Sequence, residues 1–336
     1  MTEPRDLQNI GSYVLPQASP GPFDLLEGPI HPFVGKALKT PINEPEIGRF
    51  IRPTQLISKH GAKWRWTSFL NDEVLPTVLQ RDSRPWSFLD AFGGTGIITF
   101  MASEGDWAGR LARCYYNDFG SETANMFRVV KNQPLKVIEV IRNLLADKNI
   151  SDHLWDSGFF AIKELSKTSN DPNVRAAAYI LRMKLSFGAK GDNPSTDLAA
   201  NGYEKSLRKA KNTIAAVTEW SLMLQNVVLW RKHFRDAIAE FNHREYDVNR
   251  VVFLDPPYIG CQGGEQYEVQ MPEVEHVELS RIIHERKANY IITHLDNEDY
   301  RRIYGAADAE WTVQARYTMD RNMGDFKEVT AIWYAK

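Results

Sequence analysis

Apolar and polar positions follow one another along the chain in blocks that predict strands and helices in turn. The apolar run WSFLDAF at 86–92 predicts a buried strand ending in a glycine turn, and ITFMASEGD predicts a helix after it. CYYNDF predicts a second strand, and SETANMFRVVKN predicts a helix for which Ser121 is a suitable N-cap. The strand, helix, strand order predicts an α/β fold with a parallel sheet.

The rest of the chain divides by its pattern. SFLNDEVLPTVL predicts a helix that stops near Pro76, and 133–220 is dominated by helical patterns such as VRAAAYILRMKL. RVVFLDPPY and ANYIITHLDN then return to strands. We therefore expect a discontinuous α/β core at 51–132 and 221–336, an insert at 133–220, and an irregular arm at 1–50, where Pro and Gly are dense.

Composition excludes several classes of protein. No apolar stretch is long enough to cross a membrane, and the first residues lack the pattern of a secretory signal. Cys114 and Cys261 are too few for a disulfide framework or a four-cysteine zinc site. We expect a soluble, cytoplasmic protein. The net charge of −2 is unusual for a nucleic-acid binder. Residues 160–250, however, have an excess of Lys and Arg, which indicates either a local basic surface or an ordinary solvated mixture.

A glycine-rich turn follows the first predicted strand. In LDAFGGTGI the strand leads from Asp90 and Phe92 into Gly93, Gly94 and Gly96, at the end of a strand where open α/β sheets bind ligands. The turn matches neither GxGxxG nor a phosphate-binding loop, so an adenosine with a sulfonium suits it better than a polyphosphate. A purely structural turn is the alternative.

Two acidic positions follow predicted strands. Asp118 ends the second strand, where a carboxylate can accept hydrogen bonds from ribose hydroxyls or favour the start of a helix. Asp255 opens the tetrapeptide DPPY, in which two prolines end the strand and fix adjacent acceptors, the carboxylate and the Pro256 carbonyl. With Tyr258 as a stacking surface, this favours a pocket for a base with an exocyclic amine. The alternative is a proline-stiffened strand end.

These motifs together resemble the Dam-type (alpha-class) adenine-N6 DNA methyltransferases. FGGTG at 92–96 is similar to the family's FxGxG, DPPY at 255–258 is its unmodified catalytic motif, and an insert separates them. Upstream, HGAKWRWTSFLNDEVLP resembles the family's GGK segment, so the likeness extends over about 50–336. The chain departs from the family at His233, which stands before Phe234 where Asp is usual.

The resemblance implies a Rossmann-like methyltransferase core with a mostly helical target-recognition insert. It further implies S-adenosylmethionine as cofactor, no metal, and double-stranded DNA as partner, and it leaves a cognate restriction endonuclease open. The catalytic residues it implies are Asp255, Pro256, Pro257 and Tyr258. The cofactor residues it implies are Lys59, Gly61, Lys63, Asp90, Phe92, Gly93, Gly94, Gly96, Asp118, Phe234 and Asp255.

DNA contacts are expected from the basic insert, although a solvated helix face explains the segment KSLRKAKN as well. The candidates for phosphate contacts are Lys184, Lys190, Lys205, Arg208, Lys209 and Lys211, and those for base contacts are Ser186, Asn193 and Asn201. Two other functions stay open at this point. One is methylation of RNA or of a protein amide, and the other is DNA binding without catalysis.

Overall fold

A seven-stranded sheet forms the centre of the molecule. The computed structural model describes residues 53–59, 62–154, 156–186, 190–195, 212–259, 271–315 and 326–336. Its strands are β1 (Trp86–Asp90), β2 (Leu111–Asn117), β3 (Val227–Trp230), β4 (Asn249–Leu254), β5 (Asn289–Leu295), β6 (Ala309–Ala315) and β7 (Phe326–Trp333).

The strand order is β3-β2-β1-β4-β5-β7-β6. The first five of these are parallel, and β7 runs antiparallel to both β5 and β6. From β1 the chain builds the sheet outward on one side, and from β4 it builds outward on the other. The order therefore reverses between β1 and β4, and open α/β sheets bind ligands at the carboxyl ends of the strands at such a point.

Helices lie on both faces of this sheet. They are α1 (Thr67–Phe69), α2 (Leu75–Leu79), α3 (Ile97–Glu104), α4 (Ser121–Asn132), α5 (Pro134–Ala146), α6 (Lys148–Ser151), α7 (Ser157–Thr168), α8 (Pro172–Leu185), α9 (described over 212–224), α10 (Phe234–Arg244), α11 (Glu273–His284) and α12 (Glu298–Tyr304). None of the described helices is long and apolar enough to span a membrane.

The two faces of the sheet bury separate hydrophobic clusters. Phe88, Phe253 and Ile291 point to the face covered by α1 to α5 and by α8 and α9. Leu89 and Val252 point to the face covered by α10, α11 and α12. Because side chains alternate along a strand, Asp90, which ends β1, and Asp255, which directly follows β4, fall on the first of these faces.

The helices of the predicted insert pack beside the core. Helix α8 packs against α4, α5 and α7, and residues of all these helices share one hydrophobic cluster with the sheet. Where the insert begins and ends stays a prediction, and the arm at 1–50 lies outside the described residues.

Two local predictions were wrong. The helical segment does not stop near Pro76, because a π-helical stretch, Leu70–Val74, leads directly into α2 with the proline in its first turn. Proline has no N–H for the regular hydrogen bond of an α-helix, and here it follows the irregular π-helical stretch, so the helical segment continues through it without that bond. Helix α4 begins at Ser121, so the N-cap is Gly120, whose N–H donates to the Asp118 carboxylate at 2.7 Å.

Candidate active site

The glycine turn after β1 is held by the neighbouring strand. The Gly93 N–H donates to the Asn117 carbonyl at 2.8 Å, and the Tyr116 hydroxyl donates to the Gly94 carbonyl at 3.0 Å. A Cβ on Gly93 would lie 2.2 Å from a Tyr116 ring carbon, so backbone and ring are in direct contact. Gly96 has φ +74°, which favours glycine. The turn therefore needs glycine at both positions.

Asp118 closes the other side of this turn. One of its carboxylate oxygens accepts from the Gly94 N–H at 2.9 Å, and the other accepts from the Gly120 N–H. The carboxylate thus ties the glycine turn to the start of α4. A carboxylate oxygen can accept more than one hydrogen bond, so a ligand hydroxyl is a chemically suitable donor to Asp118.

A buried carboxylate lies at the base of the turn. Asp90 is only 1% exposed, and it accepts a hydrogen bond from the Thr99 hydroxyl on α3 at 2.9 Å. Burial raises the pKa of Asp90 to about 7, and the charge of Asp255 adds to the shift. A cation placed beside Asp90 would favour its charged form and lower this pKa.

The tetrapeptide DPPY begins directly after β4. The Asp255 carboxylate lies 2.9 Å from the Lys63 ammonium and accepts from the Thr293 hydroxyl of β5 at 2.7 Å. Burial raises the pKa of Asp255, whereas the Lys63 charge opposes that rise. Asp255 remains partly exposed and can meet a ligand, while Pro256 is buried behind it.

Lys63 joins the tetrapeptide to β7. Its ammonium, almost fully buried, lies 2.9 Å from the Glu328 carboxylate and 3.1 Å from the Tyr258 hydroxyl. The Tyr258 hydroxyl in turn donates to Glu328. We refer to Lys63, Asp255, Tyr258 and Glu328 as the ionic cluster. Glu328 was absent from the sequence prediction.

Two helices support the tetrapeptide from behind. The His276 Nε2 donates to the Pro257 carbonyl at 3.0 Å, and its Nδ1 accepts from the Tyr304 hydroxyl at 2.8 Å. Burial lowers the pKa of His276 to about 4, so the imidazole is neutral at pH 7. The Tyr300 hydroxyl accepts from the Ile259 N–H at 2.6 Å. These bonds fix the backbone on both sides of Tyr258.

Aromatic rings line the site on the side of β3. Phe234 is buried, and its ring centroid lies 5.6 Å from that of Phe92 at the glycine turn. His233 is the N-cap of α10, and its imidazole lies 3.4 Å from Glu275 and edge-on to Phe119. Phe119 directly follows Asp118 and exposes about half of its surface. Phe119 was not among the residues predicted from the sequence.

A comparison with known protein families shows which family the chain belongs to. A family model described as D12 class N6 adenine-specific DNA methyltransferase matches residues 61–319, about three quarters of the chain. The chain belongs to this family. It is therefore an enzyme of the methyltransferase kind, and its family acts on adenine in DNA. A search of curated proteins finds no match to the sequence.

Some of the remaining residues predicted for the D12-class site are described by the structure, and others are not. The Lys59 amine donates to the Thr123 hydroxyl at 2.6 Å, and Gly61 lies outside the described residues. Among the expected DNA contacts, Lys184 bonds the Gln55 carbonyl, and Lys190 is exposed. The expected DNA contacts that lie outside the described residues are Lys205, Arg208, Lys209, Lys211 and Asn201.

The two polar insert residues in the described part differ. Asn193 is exposed, whereas Ser186 is buried and donates to the Met183 carbonyl at 3.2 Å. Where DNA meets the insert therefore stays a prediction. Among the described residues, no group of three or more His, Cys, Asp or Glu side chains could hold a metal ion.

The contact between Gly93 and Tyr116 gives a test of the turn in this D12-class enzyme. We expect Gly93→Ala to lower the free energy of unfolding by about 1–3 kcal/mol, because a buried ring must shift to admit the methyl group. Gly109→Ala is the matched control, since a Cβ there meets no atom within 4 Å. Urea unfolding followed by tryptophan fluorescence measures both. Equal losses in the two variants would contradict the contact.

Proposed function

We propose that this protein is a site-specific DNA methyltransferase that transfers a methyl group from S-adenosylmethionine to the N6 amine of an adenine turned out of the duplex. The observation that carries the proposal is the position of Asp255. Its half-buried carboxylate ends a strand at the point where the strand order reverses, one strand away from the glycine turn. A methyl acceptor and a methyl donor can therefore meet there.

The residues of the first half of the site fit S-adenosylmethionine. Asp90 offers a buried carboxylate to the ammonium of the methionine portion, and Asp118 offers acceptors to the ribose hydroxyls. Phe119 and Phe234 offer aromatic surfaces to the adenine ring. Position 233, where the family usually has Asp, here carries His233, so the amine of the cofactor's adenine needs another acceptor.

The residues of the second half fit an adenine. Asp255 and the Pro256 carbonyl are the two acceptors proposed for the hydrogens of the amine, and Tyr258 offers a stacking face. Hydrogen bonds from His276 and to Tyr300 hold the backbone that carries them. Because the amine is out of reach within the stacked duplex, the base must leave the helix at a cost of a few kcal/mol.

The chemistry that we infer is direct displacement. When bound, S-adenosylmethionine supplies an electrophilic methyl carbon, and the electrons of the broken C–S bond remain on sulfur as the N6 lone pair forms the new C–N bond. Asp255 orients the amine by accepting one of its hydrogens, which concentrates the lone pair on nitrogen. The methylated nitrogen then releases one proton, for which Asp255 is the nearest proposed acceptor.

The proposal is tested by incubating the protein with S-adenosylmethionine carrying a labelled methyl group and mixed-sequence duplex DNA. The DNA is then digested and its nucleosides are separated. We expect label in N6-methyladenine. Label in another base, in RNA or in a protein amide would overturn the proposed target, and no label from a folded protein would overturn the proposed reaction.

Asp90 predicts how cofactor binding depends on pH. The free carboxyl, with a pKa of about 7, must lose its proton to pair with the ammonium. The affinity for S-adenosylmethionine should therefore fall as the pH drops below 7, by up to about tenfold per unit. Isothermal titration calorimetry between pH 5.5 and 8.5 measures this. Asp90→Asn should bind weakly and lose the pH dependence; a flat profile in the wild type would contradict it.

A further inference from the structure

Glu328 is a buried carboxylate in the interior of the antiparallel strand β7. It is 2% exposed, although its strand neighbours Val329, Ala331 and Ile332 are apolar. Burying a charge is costly unless it is paired, and this one is paired with the Lys63 ammonium and the Tyr258 hydroxyl. In the proposed reaction Tyr258 stacks on the target adenine, and Lys63 contacts Asp255, which orients the target amine.

We propose that Glu328 is a positioning residue for methyl transfer, which competes with Asp255 for the Lys63 ammonium and so keeps Asp255 able to accept a hydrogen from the target amine. The proposal rests on the proposed function, because it concerns the same Asp255. It gives a catalytic reason for a charge at a position where an apolar residue would stabilise the sheet.

The geometry places one ammonium between two carboxylates. The Lys63 nitrogen lies 2.9 Å from an oxygen of Asp255 and 2.9 Å from an oxygen of Glu328, so neither pair is favoured by distance. An Asp255 that held this ammonium alone would be more fully neutralised. Its hydrogen bonds to a third group would weaken, since the acceptor strength of a carboxylate falls as its charge is compensated.

The groups around Asp255 act on its ionisation in opposite directions. Among the described residues, the ionisable ones that face it are Asp90 on β1, Lys63 before α1, Tyr258 in its own loop and Glu328 on β7. The charge of Glu328 raises the pKa of Asp255, whereas Lys63 and the Thr293 hydroxyl lower it. Removing Glu328 or removing the Thr293 hydroxyl should therefore shift this pKa in opposite directions.

The experiment compares Glu328→Gln with Thr293→Val under single-turnover conditions, with saturating S-adenosylmethionine and duplex DNA, from pH 5 to 9. We expect Glu328→Gln to lower the plateau rate about tenfold and to move the acid limb of the profile to lower pH by about one unit. Thr293→Val should move the acid limb to higher pH. A loss of packing alone would not produce shifts of opposite sign.

The outcomes separate this proposal from the proposed function. Two results with an active wild type overturn the role of Glu328 and leave the proposed function standing. One is an acid limb that does not move in Glu328→Gln, and the other is shifts of the same sign in both variants. A folded wild type that transfers no methyl group overturns the proposed function. If Glu328→Gln fails to fold by circular dichroism, Glu328→Asp is measured instead. Its charge is withdrawn by one methylene group, so a smaller shift to lower pH supports the proposal and an unmoved limb overturns it.

Discussion

Replacing Asp255 by asparagine is expected to slow methyl transfer by about a thousandfold, as measured by single-turnover incorporation of labelled methyl groups. Asparagine has nearly the same shape but no charge, so it orients the amine poorly and cannot take up its proton. The fold should persist, because Lys63 keeps its ion pair with Glu328 and the Thr293 hydroxyl keeps an oxygen acceptor.

Asp247→Asn is the matched control for this variant. Asp247 is exposed and lies just before β4, at the opposite end of the same strand. Its replacement should leave the transfer rate within twofold of the wild type. Thermal unfolding of both variants tests whether the fold is kept. A rate within tenfold of the wild type for a folded Asp255→Asn enzyme would mean that the carboxylate is not needed for the chemistry.

The motifs at strand ends could be predicted because their restraints are local. An apolar run followed by glycines predicts a buried strand and a turn, and the structure has β1 and the turn at Gly93 at that place. Two consecutive prolines cannot continue a strand in the interior of a sheet, so the position of Asp255 directly after β4 was also predictable. The resemblance of these motifs then led to the family that the comparison identifies.

The ionic cluster could not be predicted because its members are distant in sequence. Glu328 lies 73 residues after Asp255, and β7 joins the sheet antiparallel beside β5, a pairing that no strand, helix, strand pattern indicates. One signal was present in the sequence. KEVTAIW places a glutamate directly before the largely apolar run VTAIW, and a charge in a strand buried on both faces requires a partner.

The position of Lys63 was expected at the site, but its partners were not. The resemblance implies a contact with the cofactor, whereas in the structure its ammonium contacts Asp255, Tyr258 and Glu328. The lysine therefore connects the segment before α1 to the tetrapeptide and to β7. The contact with the cofactor stays a prediction, and the ion pairs give Lys63 a role in stability as well.

Control measurements for that role come from Lys232, whose amine pairs with Glu240 in a half-exposed position. Partly exposed ion pairs contribute little, so Lys232→Met should lower the free energy of unfolding by less than about 1 kcal/mol. Comparing Lys232→Met with Lys63→Met keeps the substitution the same and changes both the burial of the lysine and the number of its carboxylate partners. A large loss in Lys232→Met would mean that the lysine stem, and not the charge, determines the effect.

Lys63→Met is expected to lower the free energy of unfolding at pH 8 by about 3–5 kcal/mol, because it leaves the buried Glu328 and the partly exposed Asp255 without their shared cation. The folded-state pKa of one carboxyl should then rise above its unfolded value of about 4. A carboxyl whose pKa is raised by folding destabilises the fold increasingly as the pH rises from its unfolded pKa to its folded pKa. The loss of unfolding free energy should therefore shrink as the pH falls towards 5. Urea unfolding at several pH values measures it. Adding Glu328→Gln to Lys63→Met removes one of the repelling charges and should restore stability at pH 8; a double variant no more stable than the single one would contradict the electrostatic origin.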